Sequence, residues 1–280
     1  MTDDTGDTGD AHGTGPAAAP QIDTTVAHPA RVYDYWLGGS VNYAADREAA
    51  ERVLAVTPGL RFRVRANREF LARAVRYLAA EAGIRQFLDI GTGIPSANNT
   101  HEVARAAAPD ARVVYVDNDP IVLAHARELL AGGPAGATQY IHGDARDPGA
   151  IIAAAARTLD FTRPAALLLL GVLHLISDAE DPYRIVAALM AALPAGSYLV
   201  ISHPASDINA AAQAEAQKRY NERVATPQTL RTRAEVARFF DGLDLVPPGL
   251  VYVHAWRPDA PAAVPADTAS AHGGVARKAR

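Results

Sequence analysis

Three aspartates of this 280-residue chain, Asp89, Asp117 and Asp144, stand at or just beyond the ends of short apolar segments. The segment Gly91-Thr92-Gly93 follows the first of them, and glycine lets a ligand approach the backbone closely because no Cβ stands in the way. Opposite charges about 4 Å apart near a protein surface attract by roughly 4 kcal/mol before desolvation is counted. If the apolar segments are neighbouring parallel strands, the pattern predicts a pocket for a cationic ligand at their carboxyl ends.

The loop after Asp89 differs from the Gly-x-Gly-x-x-Gly fingerprint of dinucleotide-binding proteins. It has glycines at 91 and 93, but Ser96 stands in the third place and Pro95 distorts the loop. A dinucleotide presents an anionic pyrophosphate, which Asp89 would repel. S-adenosylmethionine has no phosphate and carries an ammonium and a sulfonium cation. The acidic loop therefore favours S-adenosylmethionine over a nicotinamide dinucleotide.

Roles for the remaining strand-end residues follow from this hypothesis. Asp117 would accept hydrogen bonds from both ribose hydroxyls, a role that serves either cofactor. Asp144 would accept from the adenine amino group, and Asn118 and Ala145 would line the adenine slot. Any one of these aspartates taken alone is as readily interpreted as the cap of the next helix. Their occurrence in three consecutive units favours the functional interpretation.

Two histidines follow the fourth and fifth apolar segments. Gly171-Val172-Leu173-His174 would border the transferred methyl group and its acceptor, and His203 follows the next segment. Histidine titrates near neutral pH, so either could remove a proton from the acceptor, and we rank His174 first. Methyl transfer by in-line displacement can also proceed by positioning alone, so a base is optional.

The segment before the first predicted core helix is unusually aromatic for a chain with 6% aromatic residues. We expect it to form a lid over the cofactor, with Tyr33 or Trp36 near the sulfonium, where a ring face attracts a cation by about 0.5–2 kcal/mol. Arg68 or Arg65 would pair with the carboxylate of the cofactor. The alternative is that the aromatic residues only anchor a helix to the core. The residues assigned to the lid are Arg31, Tyr33, Tyr35, Trp36 and Asn42.

The elements that must position these residues are read from hydrophobic periodicity. The segments with helical spacing are 43–55, 62–82, 100–108, 120–130, 151–158, 182–192, 209–223 and 233–240. The short apolar segments are 87–90, 113–116, 138–141, 167–170 and 198–201. Apolar strands that alternate with helices predict a parallel sheet covered on both faces.

Two further apolar segments, 243–246 and 250–254, are separated only by Pro247-Pro248-Gly249. So short a connection cannot hold a crossover helix, which predicts that these strands are antiparallel neighbours. The expected fold is an α/β, Rossmann-like doubly wound sheet, mostly parallel with an antiparallel C-terminal strand, plus an N-terminal helical lid.

Composition divides the chain into four expected regions. Residues 1–22 and 258–280 have few large apolar side chains and are predicted to be disordered tails. Residues 23–82 would form the helical lid, and residues 83–257 would form the S-adenosylmethionine-binding core.

The bulk composition narrows the class of protein. The chain has no cysteine, which excludes disulfides and zinc-thiolate sites, and we expect no metal. Its net charge of −4 disfavours a nucleic-acid partner. It has no apolar stretch of membrane-spanning length and an acidic N-terminus, so we expect a cytoplasmic protein without membrane contact. The oligomeric state is open.

Residues 23–258 resemble a family of actinobacterial S-adenosylmethionine-dependent methyltransferases, of class I and Rossmann-like, long described as a domain of unknown function. The resemblance implies the fold and the cofactor, but it does not imply an acceptor. The motifs that carry it are His28-Pro29-Ala30-Arg31-Val32-Tyr33-Asp34-Tyr35-Trp36-Leu37-Gly38-Gly39, Asn42-Tyr43-Ala44-Ala45-Asp46, Arg65-Ala66-Asn67-Arg68 and Asp89-Ile90-Gly91-Thr92-Gly93-Ile94-Pro95.

The leading hypothesis is therefore an S-adenosylmethionine-dependent methyltransferase that acts on a small-molecule acceptor by in-line transfer. One alternative is an NAD(P)-dependent oxidoreductase, against which the missing third glycine and Asp89 count. The other is a non-catalytic cofactor-binding regulatory protein, because no catalytic base is obvious.

Overall fold

The computed structural model describes residues 23–55, 57, 59–95, 98–130, 137–208, 210–222, 226–260 and 271–279. The predicted disorder of residues 1–22 lies outside this range. The described α-helices are α1 (Pro29–Leu37), α2 (Ala44–Leu54), α3 (Leu60–Ala80), α4 (Thr100–Ala107), α5 (Pro120–Leu130), α6 (Pro148–Ala155), α7 (Pro182–Ala191), α8 (Ala210–Asn221) and α9 (Arg233–Ala237). None of them combines the length and the apolar character needed to cross a bilayer.

The helices cover both faces of one mixed sheet. Its strands are β1 (Gln86–Ile90), β2 (Arg112–Asp117), β3 (Thr138–His142), β4 (Ala166–Leu170), β5 (Tyr198–Pro204), β6 (Leu243–Leu245), β7 (Val251–Tyr252) and β8 (Ala271–Lys278). The order is β3-β2-β1-β4-β5-β8-β6, and the pairs among β1 to β5 are parallel. A buried apolar cluster lies on each face of the sheet. The predicted sheet, mostly parallel with an antiparallel C-terminal strand, is confirmed.

The prediction of an antiparallel pair across Pro247-Pro248-Gly249 is wrong. Strands β6 and β7 both pair with β8, and both run antiparallel to it. They are two parts of one interrupted edge strand, and the Val246 N–H donates to the Val275 carbonyl between them at 2.9 Å. The prolines interrupt the strand because they cannot donate to its ladder, but they do not reverse it.

The antiparallel partner comes from the segment that was predicted to be a disordered tail. Residues 271–278 of that tail form β8, which pairs with β5 along its whole length, and residues 272–276 are buried. A Cβ at Gly273 would lie 2.9 Å from Val253 and 3.0 Å from Phe70. The segment was predicted to be disordered because its side chains are small. In the structure these small side chains allow neighbouring residues to pack closely against the strand.

The N-terminal helices form a cluster of their own. Helix α1 begins at the His28 cap with a proline in its first turn and ends where Gly38 has a φ of 86°. Arg31, only 2% exposed, pairs with the fully buried Asp46 at 2.9 Å and so fixes α1 against α2. The division into a lid (23–82) and a core (83–257) stays a prediction.

Candidate functional site

A large cavity opens at the carboxyl ends of β1 to β4. About 1260 Å³ of empty space, its open mouth included, lies between walls formed by the strand ends and by α1, α3 and α8. In open α/β sheets this edge is where ligands bind. The predicted site residues that line the cavity are Tyr33, Arg68, Asp89, Gly91, Thr92, Gly93, Asp117, Asn118, Asp144, Ala145, Gly171 and His174.

Asn42 and Arg65 do not line this cavity. The Asn42 amide donates to the Asp34 carboxylate at 2.9 Å and to the Gly39 carbonyl at 3.0 Å, so it closes the turn after α1. Arg65 is exposed to solvent on α3. Of the two arginines considered for the cofactor carboxylate, the structure brings only Arg68 to the cavity.

Asp89 at the end of β1 is a buried carboxylate, only 4% exposed. The Thr100 hydroxyl donates to it at 2.6 Å. Burial raises the pKa of Asp89 to about 6, against the lowering effects of the Thr100 hydrogen bond and the charge of Arg68. The group is therefore mostly ionised at neutral pH but poorly solvated, a state that a cationic ligand would stabilise.

Asp117 at the end of β2 shapes the glycine loop. One of its oxygens accepts the Gly93 N–H at 2.9 Å, and the other accepts the Asp119 N–H at 2.9 Å. Burial raises the pKa of Asp117, and these two hydrogen bonds oppose the rise. An ionised carboxylate offers about four lone-pair positions, so Asp117 can still accept hydroxyl groups from a ligand.

The two glycines of the loop have different roles. Gly91 has a φ of 73°, and a Cβ there would lie 2.4 Å from Val172. Gly93 has a φ of 64°, and a Cβ there would meet no protein atom within 4 Å. Gly91 thus allows close packing against the turn after β4, whereas Gly93 leaves open space on the cavity side of the loop.

Asp144 at the end of β3 is paired with an arginine that the sequence analysis did not include. Arg146 lies 3.2 Å from Asp144 and 2.5 Å from Glu180, and the Asn118 amide donates to Asp144 at 3.2 Å. Although burial acts to raise it, the pKa of Asp144 is lowered by hydrogen bonds from the Arg146 backbone and from the side chains of Asn118 and Arg146. The negative charge at this strand end is therefore partly neutralised.

The two candidate bases have different surroundings. His203 is fully buried, with Nδ1 2.7 Å from the Pro204 carbonyl and Nε2 3.0 Å from Arg231, so both of its nitrogens are engaged. His174 lines the cavity, and its buried Nδ1 has no hydrogen-bond partner among the described residues. Burial, and then the charge of Arg231, lower the pKa of His174 to about 4. His174 is therefore neutral at physiological pH and a weak base.

The N-terminal aromatic residues divide between cavity and scaffold. Tyr33 and Trp36 line the cavity. Arg31 is instead bound to Asp46, and the Tyr35 hydroxyl bonds to α2. The aromatic segment is thus partly a cavity wall and partly an anchor, a combination of the two interpretations that the sequence left open.

A side-chain contact attaches α1 to the core. His28 Nδ1 lies 2.8 Å from the carboxylate of Asp119, which follows β2 and is 3% exposed. His28 also lines the cavity, as do Asn67, Arg146 and Tyr220, none of which the sequence analysis assigned to the site. His28 and Asn67 lie inside the motifs that carry the family resemblance, and this was the signal in the sequence that could have identified them as site residues. Their partners lie far away along the chain, so spacing could not identify them.

A family model described as S-adenosyl methyltransferase matches residues 16–279. A DUF574 family protein from Streptomyces avermitilis is 46% identical to this chain, and the match covers 92% of this chain and 100% of that chain with a TM-score of 0.89. A provisionally assigned methyltransferase from Thermobifida fusca is 42% identical, with 92% and 97% of the two chains covered and a TM-score of 0.86.

More distant structures share only the fold. An O-methyltransferase family protein from Burkholderia thailandensis is 14% identical, with 84% of this chain and 60% of that chain covered and a TM-score of 0.52. No curated protein sequence matches this chain.

Proposed function

The chain belongs to the S-adenosyl methyltransferase family, and from this premise we propose that it methylates a small molecule bound beside S-adenosylmethionine in the strand-end cavity. It is an S-adenosylmethionine-dependent methyltransferase.

The residues of the cavity fit this cofactor. Open space beside Gly93 admits a ligand to the loop, and the ionised, poorly solvated Asp89 suits an ammonium group. Arg68 would pair with the carboxylate at the same end of the ligand. The same arrangement disfavours a pyrophosphate, because Asp89 and Asp117 would repel it.

The nucleoside would lie along the ends of β2 and β3. Asp117 would accept the two ribose hydroxyls on its remaining lone pairs. Asp144, with Asn118 and Ala145, would hold the adenine. When bound, the cofactor supplies a methyl group on a cationic sulfur, and Tyr33 and Trp36 in the α1 wall would face that charge.

In this proposal the acceptor is small because side chains from several elements wall the cavity. Helices α1 and α8 and the turn after β4 contribute side chains to its lining. The protein's part in an in-line displacement is to align the acceptor atom with the methyl group and to exclude water. Residues 23–82 would serve as the lid and 83–257 as the core. A net charge of −4 is unfavourable for nucleic acid as the acceptor.

One observation carries the proposal: three strand-end carboxylates and the glycine loop line the same cavity. The test is calorimetry of S-adenosylmethionine, S-adenosylhomocysteine and NAD binding to the wild type, to Asp117→Asn and to Asp147→Asn. Asp147 caps α6 outside the cavity lining, and asparagine caps helices equally well, so Asp147→Asn is the matched control.

We expect both S-adenosyl compounds to bind and NAD not to bind. Asp117→Asn should weaken S-adenosyl binding about 10- to 100-fold, since hydrogen bonds to a charged group contribute roughly 1.5–3 kcal/mol. The control should bind like the wild type. Tighter binding of NAD than of S-adenosylmethionine, or unchanged affinity in a folded Asp117→Asn variant, would refute the proposed cofactor position.

A further inference from the structure

Charge is distributed unevenly around the cavity. The ionisable lining groups are tied to the ends of β1, β2 and β3: His28 pairs with Asp119, and Arg146 pairs with Asp144. Arg68 donates to the Asn98 carbonyl in the loop between β1 and α4. Among the described residues, and apart from the weakly basic His174, the lining contributed by α1, α8 and the turn after β4 is uncharged and rich in apolar and aromatic side chains, namely Tyr33, Trp36, Leu175, Ile176 and Tyr220.

Next to this uncharged wall, helix α3 contributes a hydrogen-bond acceptor with a defined orientation. The Tyr33 hydroxyl donates to the Val64 carbonyl at 3.3 Å, and its oxygen accepts from the Asn67 amide nitrogen at 3.1 Å. The amide nitrogen of Asn67 is thus engaged, and its Oδ1 is buried without a partner in the described part of the chain. Leaving such an acceptor unsatisfied costs about 1–3 kcal/mol.

A second unsatisfied polar group lies on the turn after β4. His174 Nδ1 is buried and likewise without a partner within the described segments. Both Asn67 and His174 line the cavity, and the amide nitrogen of Asn67 would lie 3.6 Å from a Cβ at Gly171, close to the start of that turn. A ligand that donates hydrogen bonds here would satisfy groups that the folded chain leaves unsatisfied.

From these observations we infer that the methyl acceptor is an uncharged, planar molecule with a hydroxyl group, which Asn67 and His174 recognise as hydrogen-bond acceptors. The inference rests on the proposed function and specifies its substrate class. A carboxylate or an ammonium on the acceptor would be buried in this wall without a counter-charge, which is strongly unfavourable. The aromatic side chains of the wall match a flat apolar body.

In the reaction, the acceptor oxygen bonds to the methyl carbon as the carbon–sulfur bond breaks, its electron pair stays on sulfur, and the hydroxyl proton leaves to His174 or to water. His174, being neutral, can accept the hydroxyl hydrogen bond before transfer. As the new bond forms the hydroxyl becomes acidic, so a weak base is sufficient to take its proton.

The test measures transfer of labelled methyl by the full chain to a panel of two-ring phenols. Each phenol is matched with the same scaffold bearing a carboxylate or an aminomethyl group. We expect kcat/KM for the neutral phenols to exceed that for either charged counterpart at least tenfold. A preference for a charged counterpart would overturn the inference.

A variant tests the role of Asn67 separately. Asn67→Leu should lower kcat/KM for the preferred phenol 10- to 100-fold while the Kd for S-adenosylhomocysteine stays within threefold of the wild type. Asn67→Gln, which retains an amide oxygen, should recover part of the loss. If the Kd for S-adenosylhomocysteine rises as kcat/KM falls in folded Asn67→Leu, Asn67 serves the cofactor and the inference is wrong.

The panel also separates this inference from the proposed function. If no scaffold is methylated although S-adenosylhomocysteine still raises the melting temperature, the substrate class is refuted while cofactor binding is retained. If S-adenosylhomocysteine has no effect on melting, the proposed function fails and the inference fails with it.

Discussion

Asp89 provides the sharpest test of the site, because its buried charge should destabilise the ligand-free fold but strengthen cofactor binding. A carboxyl group with an ordinary pKa near 3.8 is raised to about 6 in the folded chain. At neutral pH the folded state therefore carries an ionised group that its surroundings, burial foremost, disfavour by a net value of about 3 kcal/mol. We predict that Asp89→Asn stabilises the ligand-free protein and weakens cofactor binding at the same time.

The magnitude follows from the contacts of the side chain. Asparagine can still accept the Thr100 hydroxyl, but its amide nitrogen must also be removed from water, which costs about 1–2 kcal/mol. The net gain should be about 1–2 kcal/mol, which corresponds to a rise in Tm of roughly 2–8 °C for a domain of this size. Loss of the charge should weaken S-adenosylmethionine binding about 10- to 100-fold.

The raised pKa of Asp89 also determines how stability and cofactor affinity should change with pH. Because the folded-state pKa of Asp89 is raised, its protonated form stabilises the fold below about pH 4, and this contribution disappears as pH rises through about 6. The difference in Tm between Asp89→Asn and the wild type should therefore grow from pH 4 to pH 7. Cofactor affinity of the wild type should fall as pH drops below 6, because protonation removes the charge.

The assay is differential scanning fluorimetry from pH 4 to pH 8, with calorimetry of S-adenosylmethionine binding at pH 7.5. Asp241→Asn, at an exposed aspartate, is the control and should change neither quantity. An Asp89→Asn variant that melts at or below the wild-type temperature throughout this range would show that Asp89 is not a destabilising buried carboxylate. The electrostatic argument for the cofactor would then lose its support.

Two further predictions concern the architecture around the cavity. Gly91→Ala should lower Tm and abolish S-adenosylhomocysteine binding in calorimetry. Residue 91 has a φ of 73°, which strains a residue with a side chain, and the new Cβ would lie 2.4 Å from Val172. A variant that binds S-adenosylhomocysteine normally would contradict this prediction. Arg231→Met should lower the free energy of unfolding, measured in urea, by about 3 kcal/mol. The reason is that the buried guanidinium donates to the carbonyls of Leu173 and Ile176 and to the Asp178 carboxylate. A loss below about 1 kcal/mol would contradict the role of Arg231 in holding the turn after β4.

The parts of the fold with a strong local signal could be predicted from the sequence. The alternation of apolar runs with helical spacing located β1 to β5 and the helices between them within a few residues. The carboxylates at the strand ends could be placed in one cavity because parallel strands bring their carboxyl ends to the same edge. Both inferences need only the order of strands, helices and strand-end residues along the sequence.

The parts that depend on distant partners could not be predicted. Residues 271–278 lack the apolar pattern of a strand, and their glycines are explained by distant neighbours: Val253 and Phe70 approach Gly273, and Phe240 approaches Gly274. The pairing of Asp144 with Arg146 and of His28 with Asp119 depends on how loops meet across the strand ends. Asn42 is a residue type that often binds ligands, but its amide donates hydrogen bonds within the turn after α1 instead.

The position of β8 has a consequence for the integrity of the sheet. Among the described strands, it alone pairs with both β5 and the edge formed by β6 and β7, so loss of β8 would leave two open strand edges at once. Open edges invite intermolecular pairing and aggregation. The same geometry makes the segment a candidate for complementation, in which a separately supplied peptide of residues 271–278 fills the slot and restores a soluble protein.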